Sequence, residues 1–99
     1  MSRKILFRDK AISEMMSAYW WYEDAKIGLG DVFLKKIDTY IDIIKENPEA
    51  FRIVYKKFRQ IPIKKFPFVI LYKVYPSAVV IHSVFHTSQN PDKKFKRKK

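Results

Sequence analysis

The second half of the chain carries the side chains that could bind or process a phosphate. In chain order these are one arginine, a lysine pair and two histidines: Arg59, Lys64, Lys65, His82 and His86. Arginine can hold two phosphate oxygens at once, and histidine, with an ordinary pKa of about 6.5, exchanges protons near neutral pH. Because residues 50–91 contain no carboxylate, acid–base chemistry there would have to rest on His86 or on a lysine of altered pKa.

Each of these side chains also has a structural interpretation. Arg59 could pair with Glu46 or Glu49, and the lysine pair could keep an exposed strand edge from aggregating. A single histidine at the end of a strand is more often a surface residue than a catalyst. His82, in the middle of a predicted strand, fits a hydrogen-bonded structural role. Residue type and spacing leave both interpretations open.

The composition argues against a metal or cofactor site. Cysteine is absent, and two histidines four residues apart without a nearby carboxylate do not complete a set of metal ligands. Gly28 and Gly30 are the only glycines, so the chain has no glycine-rich loop that could cradle a phosphate. We therefore expect no metal ion and no cofactor.

The charge of the chain is divided between its two halves. Residues 1–49 hold 8 Lys/Arg and 9 Asp/Glu, whereas residues 50–99 hold 13 Lys/Arg and one acid, Asp92. The whole chain has a formal net charge of +11. Because a field of one sign attracts molecules of the opposite charge, this pattern favours nucleic acid or an acidic protein as the partner.

Helical spacing of apolar residues predicts two helices in the first half, after a short strand at residues 3–8. The apolar positions are Ile12, Met15, Met16, Tyr19 and Tyr22 in the first helix, which ends near Lys26, and Phe33, Ile37, Tyr40, Ile41 and Ile44 in the second, which the Glu-Asn-Pro at 46–48 stops. Asp9 and Asp31 are expected to cap the N-termini. The Gly-Leu-Gly at 28–30 is expected to turn the chain between two antiparallel helices.

Alternating apolar residues predict three strands in the second half, at about residues 54–63, 66–75 and 78–87. A tight turn at residues 75–78 joins the last two. Even positions of the middle strand form an apolar face that should pack on the helices, and Tyr72 is expected in the core on that face. Alternation in the last strand places the following residues on one face: Val80, His82, Val84 and His86.

Together these elements predict an α+β fold in one domain over residues 1–91, followed by a basic tail at 92–99 that we expect to be mobile. The order is an N-terminal strand, an antiparallel helical hairpin and a three-stranded antiparallel meander, with the helices packed on one face of the sheet. The sequence has no run of about 18 apolar residues and no signal-peptide pattern. We therefore expect no membrane association and a cytoplasmic location.

Four landmarks occur in a fixed order between residues 5 and 91. They are YWWYEDAKIGLGDVF at 19–33, IIKENPEAF at 43–51, FRQIPIKKFPFVILYKV at 58–74 and VFHTSQNP at 84–91. In their order and spacing the chain resembles the ParE/RelE superfamily of bacterial toxins from type II toxin–antitoxin systems, and it is most similar to the ParE-like branch.

This resemblance implies a toxin that inhibits bacterial growth and is neutralised by a cognate antitoxin, usually through an acidic segment that wraps the basic sheet. The divided charge fits such a partner. ParE-like toxins of known activity poison DNA gyrase by binding it, whereas RelE-like relatives cut mRNA on the ribosome. We expect the ParE-like mechanism. A RelE-like, metal-independent endoribonuclease and a non-toxic nucleic-acid-binding module are the alternatives.

The resemblance also assigns candidate site residues. Arg59 matches a family arginine, Lys65 belongs to the matching basic pair, and His86 stands where relatives carry catalytic or binding side chains. These three residues would form the catalytic set if the chain were a nuclease. Contacts to the target or the antitoxin are expected from seven residues: Arg59, Lys64, Lys65, Lys73, His86, Gln89 and Trp21.

Two of these positions have separate arguments. Many relatives carry an arginine near the chain end where this sequence has Gln89, and a glutamine cannot neutralise a phosphate. That difference weakens the nuclease interpretation. Trp21 falls opposite the apolar stripe of the first helix, where an exposed tryptophan could anchor an antitoxin or a second copy of the toxin. A homodimer of the toxin is therefore also among the expected assemblies.

Overall fold

The computed structural model describes residues 3–88. Gln89, the predicted domain end at residue 91 and the predicted tail at 92–99 lie outside the described residues. The elements are β1 (Lys4–Phe7), α1 (Asp9–Ala25), α2 (Leu29–Glu46), β2 (Ile53–Tyr55), β3 (Phe58–Pro62), β4 (Phe68–Val74) and β5 (Ala78–His86). The predicted α+β class is confirmed, because both helices pack on one face of the sheet.

The prediction that Asp9 and Asp31 cap the two helices is wrong. The N-cap of α1 is Arg8, whose carbonyl accepts a hydrogen bond from the Ile12 N–H at 3.1 Å. The N-cap of α2 is Gly28, in the left-handed region with a φ of 90°. Both aspartates lie instead in the first turns of the helices, where the positive end of the helix dipole stabilises their negative charge.

A carboxylate of α1 caps α2. Glu23 accepts hydrogen bonds from the Gly28 N–H at 2.9 Å and from the Gly30 N–H at 3.0 Å. N–H groups at a helix start have no partner within the helix, so Glu23 satisfies two that would otherwise need water. Gly30 is also the point of closest approach: a Cβ there would stand 2.7 Å from the Tyr19 carbonyl oxygen. Glycine at this position therefore sets how closely the two helices pack.

The buried face of α1 differs from the predicted stripe. Ala11 and Ala18 are the buried residues of this helix, and Met15 and Tyr22 are partly buried against the hydrophobic core. Two members of the predicted stripe, Ile12 and Met16, are 46% and 41% exposed. These two residues of the predicted apolar face are therefore not covered by the fold.

The sheet has five strands in the order β1-β5-β4-β3-β2. The predicted strand at 54–63 is divided, since the chain reverses at Lys56-Lys57 and β2 pairs with β3 antiparallel. Lys56 takes the left-handed conformation that tight hairpins require, with a φ of 51°. β1 runs parallel to β5, so the sheet is mixed rather than wholly antiparallel as predicted.

The main core lies between the sheet and the helices. Its largest fully buried side chains are Tyr72, Phe33, Ile37, Ile44, Ile70 and Ile81. Phe33 of α2 packs against Phe66 and Phe68, with ring centroids 5.2 Å apart in both pairs. The predicted core position of Tyr72 is confirmed. A smaller cluster of Val69, Leu71 and Phe85 lies on the other face of the sheet.

A bulge in β5 changes which side chains share a face. The register with β4 shifts midway along the pair, and His82 is the extra residue of β5 at that point. Beyond the bulge the alternation is inverted, so Val84 belongs to the main core. His82 contacts Phe58 on the other face, whereas His86 contacts Phe68 of the main core. The predicted common face of these residues is wrong.

Candidate binding surface

Residues 50–88, which we call the basic sheet, carry charge of one sign. Seven basic side chains and no carboxylate lie in this part of the sequence: Arg52, Lys56, Lys57, Arg59, Lys64, Lys65 and Lys73. Within the described residues, none of the seven forms an ion pair with a carboxylate. The helical hairpin, residues 9–46, has five Lys and eight Asp/Glu and therefore a net charge of −3. The basic charge is thus available to a partner.

Arg59 is used to hold a loop. It is half-buried, and one of its NH groups donates hydrogen bonds to the carbonyl oxygens of Glu49 at 3.1 Å and Phe51 at 2.8 Å. Its partners are thus backbone carbonyls, and the carboxylates of Glu46 and Glu49 do not pair with it in the described structure. Arg59 fastens the segment between α2 and β2 to the sheet.

Tyr72, opposite Arg59 in the register of β3 and β4, holds the same segment. Its hydroxyl donates a hydrogen bond to the Pro48 carbonyl oxygen at 2.7 Å. Burial raises the pKa of Tyr72 to about 12, and the nearby Arg59 charge offsets part of that rise. The phenol therefore stays protonated at neutral pH and acts as a structural donor.

Lys64 and Lys65, which we call the lysine turn, are both exposed between β3 and β4. The Lys64 N–H donates a hydrogen bond to the Tyr40 hydroxyl of α2 at 3.1 Å, so a helix fixes the turn. Lys65 has a φ of 74°, in the left-handed region. This conformation costs a residue with a Cβ about 1–2 kcal/mol, a cost that glycine would avoid. The turn therefore holds a lysine where stability alone would favour glycine.

His86 is exposed at the end of β5 and rests edge-on against Phe68, with ring centroids 5.2 Å apart. The Ser88 N–H donates a hydrogen bond to its Nδ1 at 3.0 Å. In the neutral ring the proton is therefore carried by Nε2, which makes Nε2 a donor. The Thr87 N–H donates to the Pro67 carbonyl oxygen at 2.7 Å, which brings this strand end beside the lysine turn.

The three residues predicted as a nuclease set are not gathered at one point. Lys65 and His86 lie at the same end of the sheet. Arg59 pairs with Tyr72, which is four residues along β4 from Phe68, the partner of His86. At about 3.3 Å per residue, this places Arg59 about 13 Å along the strands from His86, and two strands away.

Lys73 lies on the other face of the sheet from Arg59. Its ammonium group is 5.3 Å from the centroid of the Phe58 ring and 5.5 Å from that of Tyr75. Such contacts between a cation and aromatic rings hold the half-buried Lys73 side chain in place. The predicted contact residues therefore fall at both ends and on both faces of the sheet.

The Nε2 atom of His82 lacks the hydrogen bond predicted for a structural histidine. Its Nε2 is buried without a hydrogen-bond partner in the described structure, and the ring lies edge-on to Phe58 at 4.7 Å. Burial lowers the pKa of His82, and the positive charges of Arg8 and Lys73 lower it further. The ring is therefore neutral at physiological pH.

Trp21 is 73% exposed, as predicted. It lines a groove of about 440 Å³ between α1 and β5, together with Glu14, Phe68 and His86. The structure thus brings together Trp21 and His86, two predicted contact residues that are far apart in the sequence. This groove combines an exposed indole with an imidazole, which suits contact with another protein.

Glu14 forms one wall of this groove and is a residue that the sequence patterns did not indicate. Its carboxylate accepts hydrogen bonds from the Ser83 hydroxyl at 2.7 Å and from the Val84 N–H at 2.9 Å. β1 pairs with β5 only as far as Ile81. Glu14 therefore satisfies an N–H on the strand edge that β1 leaves uncovered.

The described part of the chain offers few other kinds of site. Residues 3–88 contain no cluster of three or more potential metal ligands. In the same range, no helix is both long and apolar enough to span a membrane.

Two sequence comparisons identify relatives. The family model for the ParE toxin of the type II toxin–antitoxin system parDE matches residues 5–91. The chain is 25% identical to Toxin ParE2 of Mycobacterium tuberculosis over 93 residues, which cover 93% of this chain and 89% of that protein. The relative comes from strain CDC 1551/Oshkosh, and an equal match is found in strain H37Rv.

Solved structures share the fold. The chromosomal ParDE system from P. aeruginosa matches with a TM-score of 0.63 and 17% identity, covering 85% of this chain and 95% of that chain. An E. coli RelE toxin mutant in complex with an antitoxin RelBc peptide matches with a TM-score of 0.66 and 18% identity, covering 100% of both chains. Because the family model spans nearly all the described residues and the fold agrees, this chain belongs to the ParE toxin family of type II toxin–antitoxin systems.

Proposed function

We propose that this chain is a cytoplasmic toxin that inhibits bacterial growth by binding its target, and that a cognate antitoxin neutralises it. Family precedent favours DNA gyrase as the target. Membership of the ParE family supports the toxin role. The observation that carries the binding mechanism is the position of Arg59, which is engaged by two backbone carbonyls and lies far from His86.

Cleavage of RNA without a metal needs a proton acceptor, a proton donor and a cation around one phosphate. Arg59, the strongest phosphate ligand among the candidates, lies about 13 Å along the strands from His86. Nδ1 of His86 accepts a hydrogen bond from the Ser88 N–H. With no carboxylate in the basic sheet, these features support binding rather than hydrolysis.

The basic sheet is the proposed docking surface for the antitoxin. Relatives of known structure include a ParDE system and a RelE toxin with an antitoxin peptide. For this chain, seven cations without carboxylate partners support an acidic segment as the bound element. Lys56 and Lys65 occupy left-handed positions in exposed turns, so their charges are presented at a cost in stability.

The gyrase proposal can be tested with purified components. We expect the full chain to inhibit DNA supercoiling by gyrase and to form a complex with the enzyme that a pull-down recovers. Ribosome-bound mRNA incubated with the same preparation should remain intact. Undisturbed gyrase together with cut mRNA would establish the RelE-like alternative. No effect on either target would favour a non-toxic nucleic-acid-binding module.

The docking surface can be tested separately with an oligo-glutamate peptide. The double variant Lys64→Gln/Lys65→Gln should bind it about tenfold more weakly than wild type at low salt, because two complementary charges are lost. The matched control is Lys35→Gln/Lys36→Gln, which removes the same charge from α2 of the hairpin. Equal losses in both variants would show that net charge, and not the basic sheet, determines binding.

A further inference from the structure

The outer face of α1 presents apolar side chains that the fold does not bury. Ile12, Met16 and Trp20, which we call the α1 stripe, are 46%, 41% and 56% exposed. They follow one another at four-residue intervals, about 6 Å apart along the helix. The Trp20 ring packs edge-on against the Tyr19 ring, with centroids 4.9 Å apart. This contact restricts the rotamers of Trp20, so less side-chain entropy is lost when a partner binds.

The α1 stripe lies on an acidic helix. α1 contains one lysine and four acids, which gives it a net charge of −3. At 100° per residue, Asp9 and Glu23 fall beside the stripe, and Lys10 falls about a third of a turn away. A surface that is both apolar and acidic repels an acidic antitoxin segment. Its partner must therefore be apolar and basic.

A surface with that chemistry lies on the same protein, at the edge strand β2. Ile53 is 50% exposed there, and Arg52, Lys56 and Lys57 around it are exposed as well. We call these four residues the β2 rim. None of its three cations pairs with a carboxylate in the described structure. The β2 rim is therefore an apolar centre within a basic surround, the complement of the α1 stripe.

The two surfaces cannot meet within one molecule. α1 packs against β5, whereas β2 lies at the far edge of the sheet. Three strand spacings of about 4.8 Å separate β5 from β2, so the surfaces are at least about 14 Å apart. A contact between different patches on two copies is heterologous, and it leaves one patch unused at each end.

We propose that the α1 stripe of one copy docks on the β2 rim of a second copy, so that the free toxin associates head to tail. Trp20 and Ile53 supply the apolar contact, and acids of α1 face the cations of the rim. Given the docking surface proposed above, an acidic antitoxin on the basic sheet would compete with this contact. The self-association itself does not depend on the identity of the toxin's target.

Sedimentation velocity on the full chain without antitoxin is the first test. The mean mass should rise with protein concentration at about 0.05 M salt and return to that of a monomer at about 0.5 M, because the charged contacts are then screened. A monomer at every concentration in low salt would overturn the proposal.

Mixing two variants tests the head-to-tail geometry. Trp20→Ser breaks the α1 stripe, together with Asp24→Lys, which reverses the acidic charge about one turn after Trp20. Ile53→Ser with Lys57→Glu breaks the β2 rim. Each variant alone should associate at least about tenfold more weakly than wild type, because a central anchor is lost. Their mixture should form a one-to-one dimer, since each retains the surface that the other lacks. Recovery of that dimer also shows that both variants are folded.

The matched control is Ile43→Ser on α2. Ile43 is 41% exposed, equal to Met16, but lies on neither surface. This control should associate like wild type. Loss of association in the control, persistence of association in either single-surface variant, or a mixture that stays monomeric would each contradict head-to-tail docking.

Discussion

The helical hairpin and the basic sheet differ in how well their polar groups are paired and in backbone strain. In the hairpin, Glu23 caps the start of α2, and Lys10 pairs with Glu14 at 3.1 Å. In the basic sheet, His82 has a buried nitrogen without a partner, and Lys65 holds a strained backbone conformation. Groups that cost stability are retained where function requires them. The capped and paired groups named here in the hairpin stabilise the fold, whereas the unpaired and strained groups of the sheet are candidates for a role beyond it.

The largest effect on stability is expected where the hairpin packs against the basic sheet. Phe33→Ala should lower the free energy of unfolding by about 3–5 kcal/mol, because Phe33 is fully buried between the hairpin and the sheet. Denaturant unfolding measures the change. The neighbouring control Val32→Ala, on a side chain that is 52% exposed, should change stability by about 0.5 kcal/mol or less. Similar small losses in both variants would show that the regions are not joined through this ring.

The two glycines of the hairpin should respond unequally. Gly30→Ala should cost about 1–3 kcal/mol, because the new Cβ would stand 2.7 Å from backbone and ring atoms of Tyr19 and push the helices apart. Gly28→Ala meets no atom within 4 Å and should cost about 1 kcal/mol from its left-handed φ alone. Thermal unfolding ranks the two. A larger loss at Gly28 would contradict close packing at Gly30.

The sheet, unlike the hairpin, should respond to acid through His82. The pKa of His82 is lowered in the folded protein, so the unfolded chain gains a proton at a higher pH than the folded chain. The stability present above the ordinary histidine pKa of about 6.5 is therefore lost as the pH falls below it, by at most about 1.4 kcal/mol per pH unit.

Unfolding free energies at about pH 7.5 and pH 5.5 for wild type and His82→Gln measure this effect. The wild type should lose more stability between the two pH values than the variant, whose side chain does not titrate. Equal losses would show that other groups account for the acid sensitivity.

The smallest expected effect is at the lysine turn. Lys65→Gly should raise the free energy of unfolding by up to about 1 kcal/mol, because glycine adopts the φ of 74° without strain. The same change should weaken binding of the oligo-glutamate peptide. Lys64→Gly is the control, since Lys64 is not in the left-handed region and should gain no stability. A destabilised Lys65→Gly variant would show that the lysine is held there for the fold.

Local patterns predicted the helices, the last two strands and the layer order well, because helical and alternating spacing directly reflect which faces are buried. The departures have nonlocal causes. Glu14 reaches Val84, 70 positions away, and Glu23 replaces the expected Asp31 cap from another helix. The bulge at His82 inverts the alternation of β5, and its position depends on register with β4.

The candidate site was less accessible from the sequence than the fold. The sequence located the basic half by its charge and the exposed Trp21 by its helical spacing, because both are local properties. It could not show that Arg59 is bound to carbonyls of a loop or that His86 lies beside the lysine turn. The reversal at Lys56-Lys57 was also hidden, since the pattern lacks the glycine or asparagine typical of such turns.

The proposed function requires that the toxin binds its target and does not cut RNA. Mapping of mRNA 5′ ends after induction of the chain in a bacterium, together with a reporter of DNA damage, tests it most directly. We predict growth arrest with a DNA-damage response and intact mRNA. New mRNA ends at ribosomal positions before growth slows, lost in a His86→Ala variant, would contradict the account.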